Sequence, residues 1–169
     1  MPATYEPIAT FTAGVLTTSI TFSSIPASYT DLRLVVVGRG GTGTGATWDC
    51  YTRFNSDSGT NYSTTVLSGN GSAASSFRIT SDTGIYGLMP GPTATAGVYG
   101  LLNLYVFSYA GSTNKTTLSE SNADANGSGN VNRIVGLWRS TSAITTISLH
   151  PNVNFAIGST ATLYGIKNA

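Results

Sequence analysis

Apolar and polar residues alternate along most of this chain with a period of two, and no stretch keeps an i, i+3, i+4 apolar pattern for three helical turns. A period of two sends successive side chains to opposite faces of an extended strand. The pattern therefore calls for sheets and leaves almost nothing to build a helix from. Within residues 16–22, Leu16, Ile20 and Phe22 share one side and Thr17, Ser19 and Thr21 the other. Leu32, Leu34 and Val36 share a face, as do Trp48, Cys50 and Phe54 with Asp49, Tyr51 and Arg53 opposite. Residues 100–109 are apolar on both faces, which predicts a central strand, and residues 131–139 are also two-faced. Residues 146–149 and 161–167 alternate again, and 62–67, 77–80 and 115–121 are shorter candidates.

Clusters of Gly, Pro, Asn, Asp and Ser separate these runs, at 23–30, 38–45, 55–61, 68–76, 83–97 and 122–130. About eight to eleven strands punctuated in this way predict two packed antiparallel sheets, an all-β sandwich of jelly-roll type. No break in composition divides the 169 residues, so the expectation is a single domain over 1–169. Pro2 and Pro7 cannot donate ladder hydrogen bonds, which suits residues 1–11 to an edge or an extended arm. Tyr5, Ile8 and Phe11 on that arm need a surface to cover them and are the expected interface residues.

Charge narrows the function classes. Only 9% of residues are Asp, Glu, Lys or Arg, against about 25% in ordinary domains. Ser and Thr, 47 residues together, replace them. A hydroxyl-rich surface stays wet but repels its neighbours weakly, so it tolerates dense packing beside copies of itself. The net charge of +1 has no basic stripe, so no nucleic-acid partner is expected. Cys50 is alone, which removes an intrachain disulfide and a zinc site of paired cysteines. The first ten residues lack a secretory pattern and no apolar run could span a bilayer, so the expected place of synthesis is a cytoplasm, with no membrane partner.

Gly38-Arg39-Gly40-Gly41-Thr42-Gly43 matches a dinucleotide fingerprint after an apolar strand. That fingerprint works only where a helix begins behind it. The residues that follow, from Ala46 to Phe54, alternate as a strand, so the expected role is a flexible connection and no cofactor. His150, the only histidine, would have to serve any Ser-His or Cys-His site, and no G-x-S-x-G elbow accompanies it. Cys50 is expected in the core beside Trp48. Seven carboxylates are scattered; Asp49 and Glu120 are the pair that could approach each other in space. Asn55, Asp57 and Asn61 could hold a surface calcium, but side-chain capping of a turn is the favoured reading. No metal site, catalytic residue or enzyme activity is expected. N-x-S/T triplets at Asn61, Asn70, Asn114 and Asn126 follow from composition. Tyr51, Tyr62, Tyr86 and Tyr99 lie near predicted loops and could stack on sugars, or serve packing and subunit contact.

Five segments carry a resemblance: Tyr5-Glu-Pro-Ile-Ala-Thr10, residues 19–34 (SITFSSIPASYTDLRL), 53–63 (RFNSDSGTNYS), 136–145 (GLWRSTSAIT) and 158–167 (GSTATLYGIK). In this order they resemble a family of small structural proteins of tailed bacteriophages, while residues 81–100 depart from its pattern. The resemblance implies a virion protein assembled in the host bacterial cytoplasm. Its expected role is a capsid decoration (cement) protein that stabilises the head shell as a symmetric homo-oligomer, a trimer in the usual case. Its partners would be the major capsid protein or other virion proteins. The alternative is a tail-fibre or tail-tip domain recognising cell-surface glycan. The resemblance brings no catalytic residues.

Overall fold

The computed structural model describes residues 5–167. Among these the chain forms strands and turns with no helix. The strands are β1 (Tyr5–Thr12), β2 (Ile20–Phe22), β3 (Asp31–Gly38), β4 (Thr47–Phe54), β5 (Tyr62–Gly69) and β6 (Ala74–Asp82), then β7 (Leu88–Pro90), β8 (Gly100–Val106), β9 (Lys115–Asp124), β10 (Gly129–Trp138), β11 (Ile147–Pro151) and β12 (Thr160–Ile166). They build two antiparallel sheets. The larger has eight strands in the order β1-β12-β3-β8-β9-β10-β5-β6, and the smaller four in the order β2-β11-β4-β7.

The alternation decides which side chains meet between the sheets. Leu32, Leu34 and Val36 of β3, Leu102, Leu104 and Val106 of β8, and Ala161 and Leu163 of β12 are buried from the large sheet. Ile20 and Phe22 of β2, Ile147 and Leu149 of β11, and Trp48, Cys50 and Phe54 of β4 face them from the small one. Each of the Val, Leu, Ile and Phe side chains among them, removed from water, contributes about 1.5–3 kcal/mol. Trp48 meets Phe155 edge to face, and Phe54, Tyr62 and Trp138 form a second aromatic group.

Several expectations are corrected. The strand predicted over 16–22 contains only Ile20–Phe22; Leu16 is exposed in a loop and lies over Gly41. The strand predicted over 100–109 ends at Val106, because Ser108 takes a left-handed φ of 50° and turns Tyr109 into the core. β8 is central, as its two-faced pattern predicts, yet its outward face is covered only in part: Asn103 is 3% exposed between Arg33 and Glu120, while Leu101 and Tyr105 are half-buried and Phe107, just past the strand, is exposed. Of the two roles expected for residues 1–11, an edge or an extended arm, the described part from Tyr5 onward takes the first: it is a ladder-paired edge strand against β12, with a register shift between Pro7 and Ala9. Ile8 and Phe11 pack on this chain's own core, while Tyr5 remains 45% exposed. Residues 1–4 of that arm lie outside the described residues.

The glycine-rich loop after β3 is not the flexible connection expected from its composition. It is followed by β4, and its amides are taken by protein carbonyls: Gly40 N–H donates to Pro90 O at 2.9 Å and Gly41 N–H to Asn154 O at 2.7 Å. A Cβ on Gly41 would sit 2.4 Å from Leu16 Cδ2 and 2.9 Å from Ala156 Cα, so close packing requires glycine there. The Arg39 guanidinium donates to the carbonyls of Thr95, Pro92 and Ala94 and so holds the following loop.

Candidate functional site

Two solvent-facing surfaces remain once the core is accounted for, one on the outside of each sheet. The small sheet sends Asp49, Tyr51 and Arg53 of β4 outward, because Trp48, Cys50, Thr52 and Phe54 fill the inward positions. His150 pairs with Tyr51 and Ser148 with Arg53 across β11. On the other side the segment entering β7 runs antiparallel to β4, with Thr52 and Ile85 exchanging backbone hydrogen bonds and Cys50 N–H donating to Gly87 O. That pairing places Tyr86 beside Tyr51. The rings meet edge to face at 6.1 Å, and Phe77 of β6 meets Tyr86 in the same manner at 5.6 Å. An aromatic row, His150–Tyr51–Tyr86–Phe77, thus crosses the face.

Asp49 flanks this row. Asn152 Nδ2 donates to its Oδ2 at 3.2 Å. Burial pushes the Asp49 carboxyl upward from its ordinary range; hydrogen bonds from Tyr86 and Asn152 oppose this, and the charge of Asp82 adds to it. Arg53 is turned the other way, donating from Nε to Thr83 O at 2.8 Å and from a terminal nitrogen to Thr83 Oγ1.

His150 Nε2 lies 2.9 Å from Ser148 Oγ, a contact that a nucleophile and its base would make. Its setting argues for a structural bond. The two residues are i and i+2 on one strand face, and Ser148 is 4% exposed beneath its neighbours. Among the described residues no carboxylate bonds the other ring nitrogen. Burial, then the nearby positive charge of Arg53, hold the imidazole below its ordinary pKa. Arg53 thus opposes the imidazolium that base catalysis must form.

The other candidates separate. Glu120 lies on the outside of the large sheet, bonded to Asn103 and Arg133, so Asp49 and Glu120 sit on opposite faces of the sandwich. Asp57 accepts from Gly59 N–H and Asn61 Nδ2, and its Oδ2 accepts from Trp138 Nε1; Asn55 is spent on Ala143, Thr145 and Thr146. Both are turn and core fasteners. Among the described residues no three His, Cys, Asp or Glu side chains converge. Tyr62 is fully buried against Trp138, which removes it from the sugar-stacking set. The Tyr99 hydroxyl donates to Ile157 O. Tyr51 and Tyr86 remain.

The outside of the large sheet is the second surface. Registers across β3, β8, β9, β10 and β5 align Val37, Leu101 and Val131 in one row and Arg33, Tyr105, Leu118 and Val135 in another. Leu67, Val131 and Val135 are 58%, 62% and 56% exposed. Leu67, Val131 and Ala74 line a depression of about 300 Å³. A polar chain crosses the same face: Arg33 Nε donates to Asn103 Oδ1, Asn103 Nδ2 to Glu120 Oε1, and Arg133 to Glu120 Oε2. Sequence alternation shows which residues leave the core, but not that no other element covers them.

No protein-family model matches the chain, and no curated protein matches it. Among solved structures, a protein of unknown function from Shewanella oneidensis MR-1 is similar at 12% identity and a TM-score of 0.21, over 98% of this chain and 71% of that one.

Proposed function

We propose that this chain is a structural, non-catalytic protein of a tailed-bacteriophage virion, a decoration subunit that binds the major capsid protein as a symmetric oligomer. The observation that carries the reading is the uncovered outer face of the large sheet. Five strands from β3 to β5 span roughly 24 Å at ordinary spacing, and six to seven residues along them roughly 20 Å. That footprint is over half of the ~800 Å² per partner of a standard interface. Exposed apolar residues on it stand in two rows, on either side of the Arg33–Asn103–Glu120–Arg133 chain, and apolar rows rimmed by polar groups mark an association surface. The low charge and the five resembling segments point the same way.

We read the sandwich as a jelly roll with four added strands. What supports this is strand order. Taking β1, β2, β3, β4, β7, β8, β11 and β12 alone gives two four-stranded sheets, β1-β12-β3-β8 and β2-β11-β4-β7, nested as two Greek keys. The pairs β5-β6 and β9-β10 then extend only the first sheet, which is what enlarges the outer face.

Copy number on purified particles tests the proposal. Quantitative mass spectrometry should find the chain in numbers comparable to the capsid protein, and Val135→Glu should lower that occupancy while leaving the isolated fold intact. A handful of copies per particle would favour the second reading, a tail-associated domain recognising cell-surface glycan. The aromatic row beside Asp49 is the observation on its side.

A further inference from the structure

We propose that the outer face of the small sheet is a binding site for neutral pyranose saccharides, with Tyr51 as the stacking platform and Asp49 as the hydroxyl acceptor. This deepens the second, glycan-recognising reading by naming its site and sugar class, and it does not depend on shell binding, because it concerns the opposite face of the sandwich.

Three features meet there. The first is the row His150–Tyr51–Tyr86–Phe77, whose rings abut edge to face at 6.1 Å and 5.6 Å between its last three members. Each edge-to-face contact covers one face of one of its two rings, so other faces along the row stay uncovered by these contacts, and the C–H face of a pyranose covers such a surface as another apolar group does. None of the four rings is buried, and Phe77 is 42% exposed.

The second is the unfilled bonding capacity of Asp49. A carboxylate has about four acceptor sites. Among the described residues those of Asp49 receive only the neutral donors Asn152 and Tyr86, and no cation bonds to it. Asp49 is only half-buried, so its remaining acceptor sites open to solvent, where hydroxyl donors arriving beside the ring can take them. Adjacent hydroxyls of a pyranose present two such donors at once. Among the described residues Asp49 and Asp82 outnumber the one cation beside the row, Arg53, whose guanidinium is engaged by Thr83, so the face is unfavourable for sialic acids and uronates. Neutral sugars follow from that sign.

The third is rigidity. β4 and β11 are the two inner strands of the small sheet, so each has a ladder on both sides. Tyr51 is further held by close packing: a Cβ added at Gly84 would lie 2.9 Å from Tyr51 Cβ. A platform that is already in place spends little of its binding energy on ordering.

The test uses the intact soluble chain on a panel of neutral hexose, deoxyhexose and N-acetylhexosamine oligosaccharides, with sialylated and uronate-containing counterparts. Hits are titrated by ligand-observed NMR. We expect dissociation constants of about 0.1–10 mM for neutral members. Tyr51→Ala and the isosteric Asp49→Asn should each weaken binding about tenfold, while Tyr99→Phe, outside the row, leaves it unchanged. Thermal unfolding of each variant separates lost binding from lost fold, and Asp49→Asn alone suffices if Tyr51→Ala does not fold. No neutral binder in the panel, binding of acidic members only, or titrations indifferent to Asp49→Asn would each overturn the proposal.

Discussion

The Trp138 indole N–H donates to Asp57 Oδ2 at 2.7 Å, joining the last residue of β10 to the turn that follows β4. One carboxylate thereby caps its own turn, through Gly59 N–H and Asn61, and anchors a core aromatic. Burial raises its pKa, but the donors Trp138, Asn61 and Gly59 outweigh it and leave the group below the ordinary range. A depressed folded-state pKa gives stability that is complete above the unfolded value of about 3.9 and is lost as the pH falls through the folded one. Asp57→Ala should cost about 1–2 kcal/mol at pH 7. Asp57→Asn should shrink the fall in Tm between pH 5 and pH 3 without abolishing it, since Glu6, held low by Lys167 and Tyr29, has the same sign. An unchanged acid profile in Asp57→Asn would contradict the assignment.

His150 gives the pH dependence at a higher range. Its folded pKa is lowered by burial and Arg53, so the folded state binds fewer protons than the unfolded chain. Stability should decline as the pH drops below about 6.5 and level off once the folded ring is protonated. His150→Gln should flatten this part of the curve, measured as Tm from pH 8 to pH 5. Ser148→Ala should leave the protein without any lost reaction, and serine-directed phosphonates should fail to label Ser148.

Cys50 is fully buried on the inward face of β4, and burial followed by the charge of Asp49 drives its thiol pKa upward. The thiolate is the reactive form, so a chromogenic disulfide reagent should find no thiol in the folded protein and one per chain in guanidinium. Fast labelling under native conditions would show that the sandwich opens.

The three expected interface residues should part company. Ile8→Ala and Phe11→Ala remove contacts with this chain's own core and should lower stability by about 1–2 kcal/mol in urea titrations. Tyr5→Ala should cost less than about 0.5 kcal/mol, because its exposed ring gives mainly a cation–π contact with Arg33. A role for Tyr5 in assembly would then appear as reduced occupancy on particles with unfolding unchanged.

Self-association, which the proposal requires beside shell binding, would rest on the apolar rows that flank the Arg33–Asn103–Glu120–Arg133 chain. Light scattering at micromolar protein should report the same oligomer mass from 0.05 to 1 M salt, since screening acts on exposed charges. Val131→Lys or Val135→Glu should shift the mass towards the monomer. A monomer at all salt concentrations, coupled with no assembly on particles, would remove this surface from consideration.

Strand identity was legible because burial on one face writes a period of two into the sequence; β3, β4 and β12 alternate as their burial does. The same rule misled at Leu16, where a loop continues the alternation by chance, and at residues 107–109, where apolar composition continues through a turn. The glycine-rich loop illustrates a different limit. Its composition reads as flexible, but Leu16, Pro92, Val153 and Ala156 come from distant segments to pack on it, and local sequence carries no record of them. Tyr51 and Tyr86 were visible as aromatics near loops, and Tyr62 was indistinguishable from them. Only the fold separates a ring stacked on Trp138 from rings on an open face.

By itself the sequence determined an all-β chain, the shared faces of β3 and β4, a buried Cys50 and the scarcity of surface charge, because these depend on residue type and on neighbours two positions away. Tertiary structure decided the rest: eight strands against four, the uncovered outer face, the meeting of His150 with Ser148, and the divorce of Asp49 from Glu120. Those outcomes depend on which strands pair, and pairing is set by contacts between residues often more than a hundred positions apart. Thr10 beside Thr162 and Glu6 beside Lys167 are two such contacts. No local pattern encodes them, since each partner only acquires its neighbour when both sheets close over a common core.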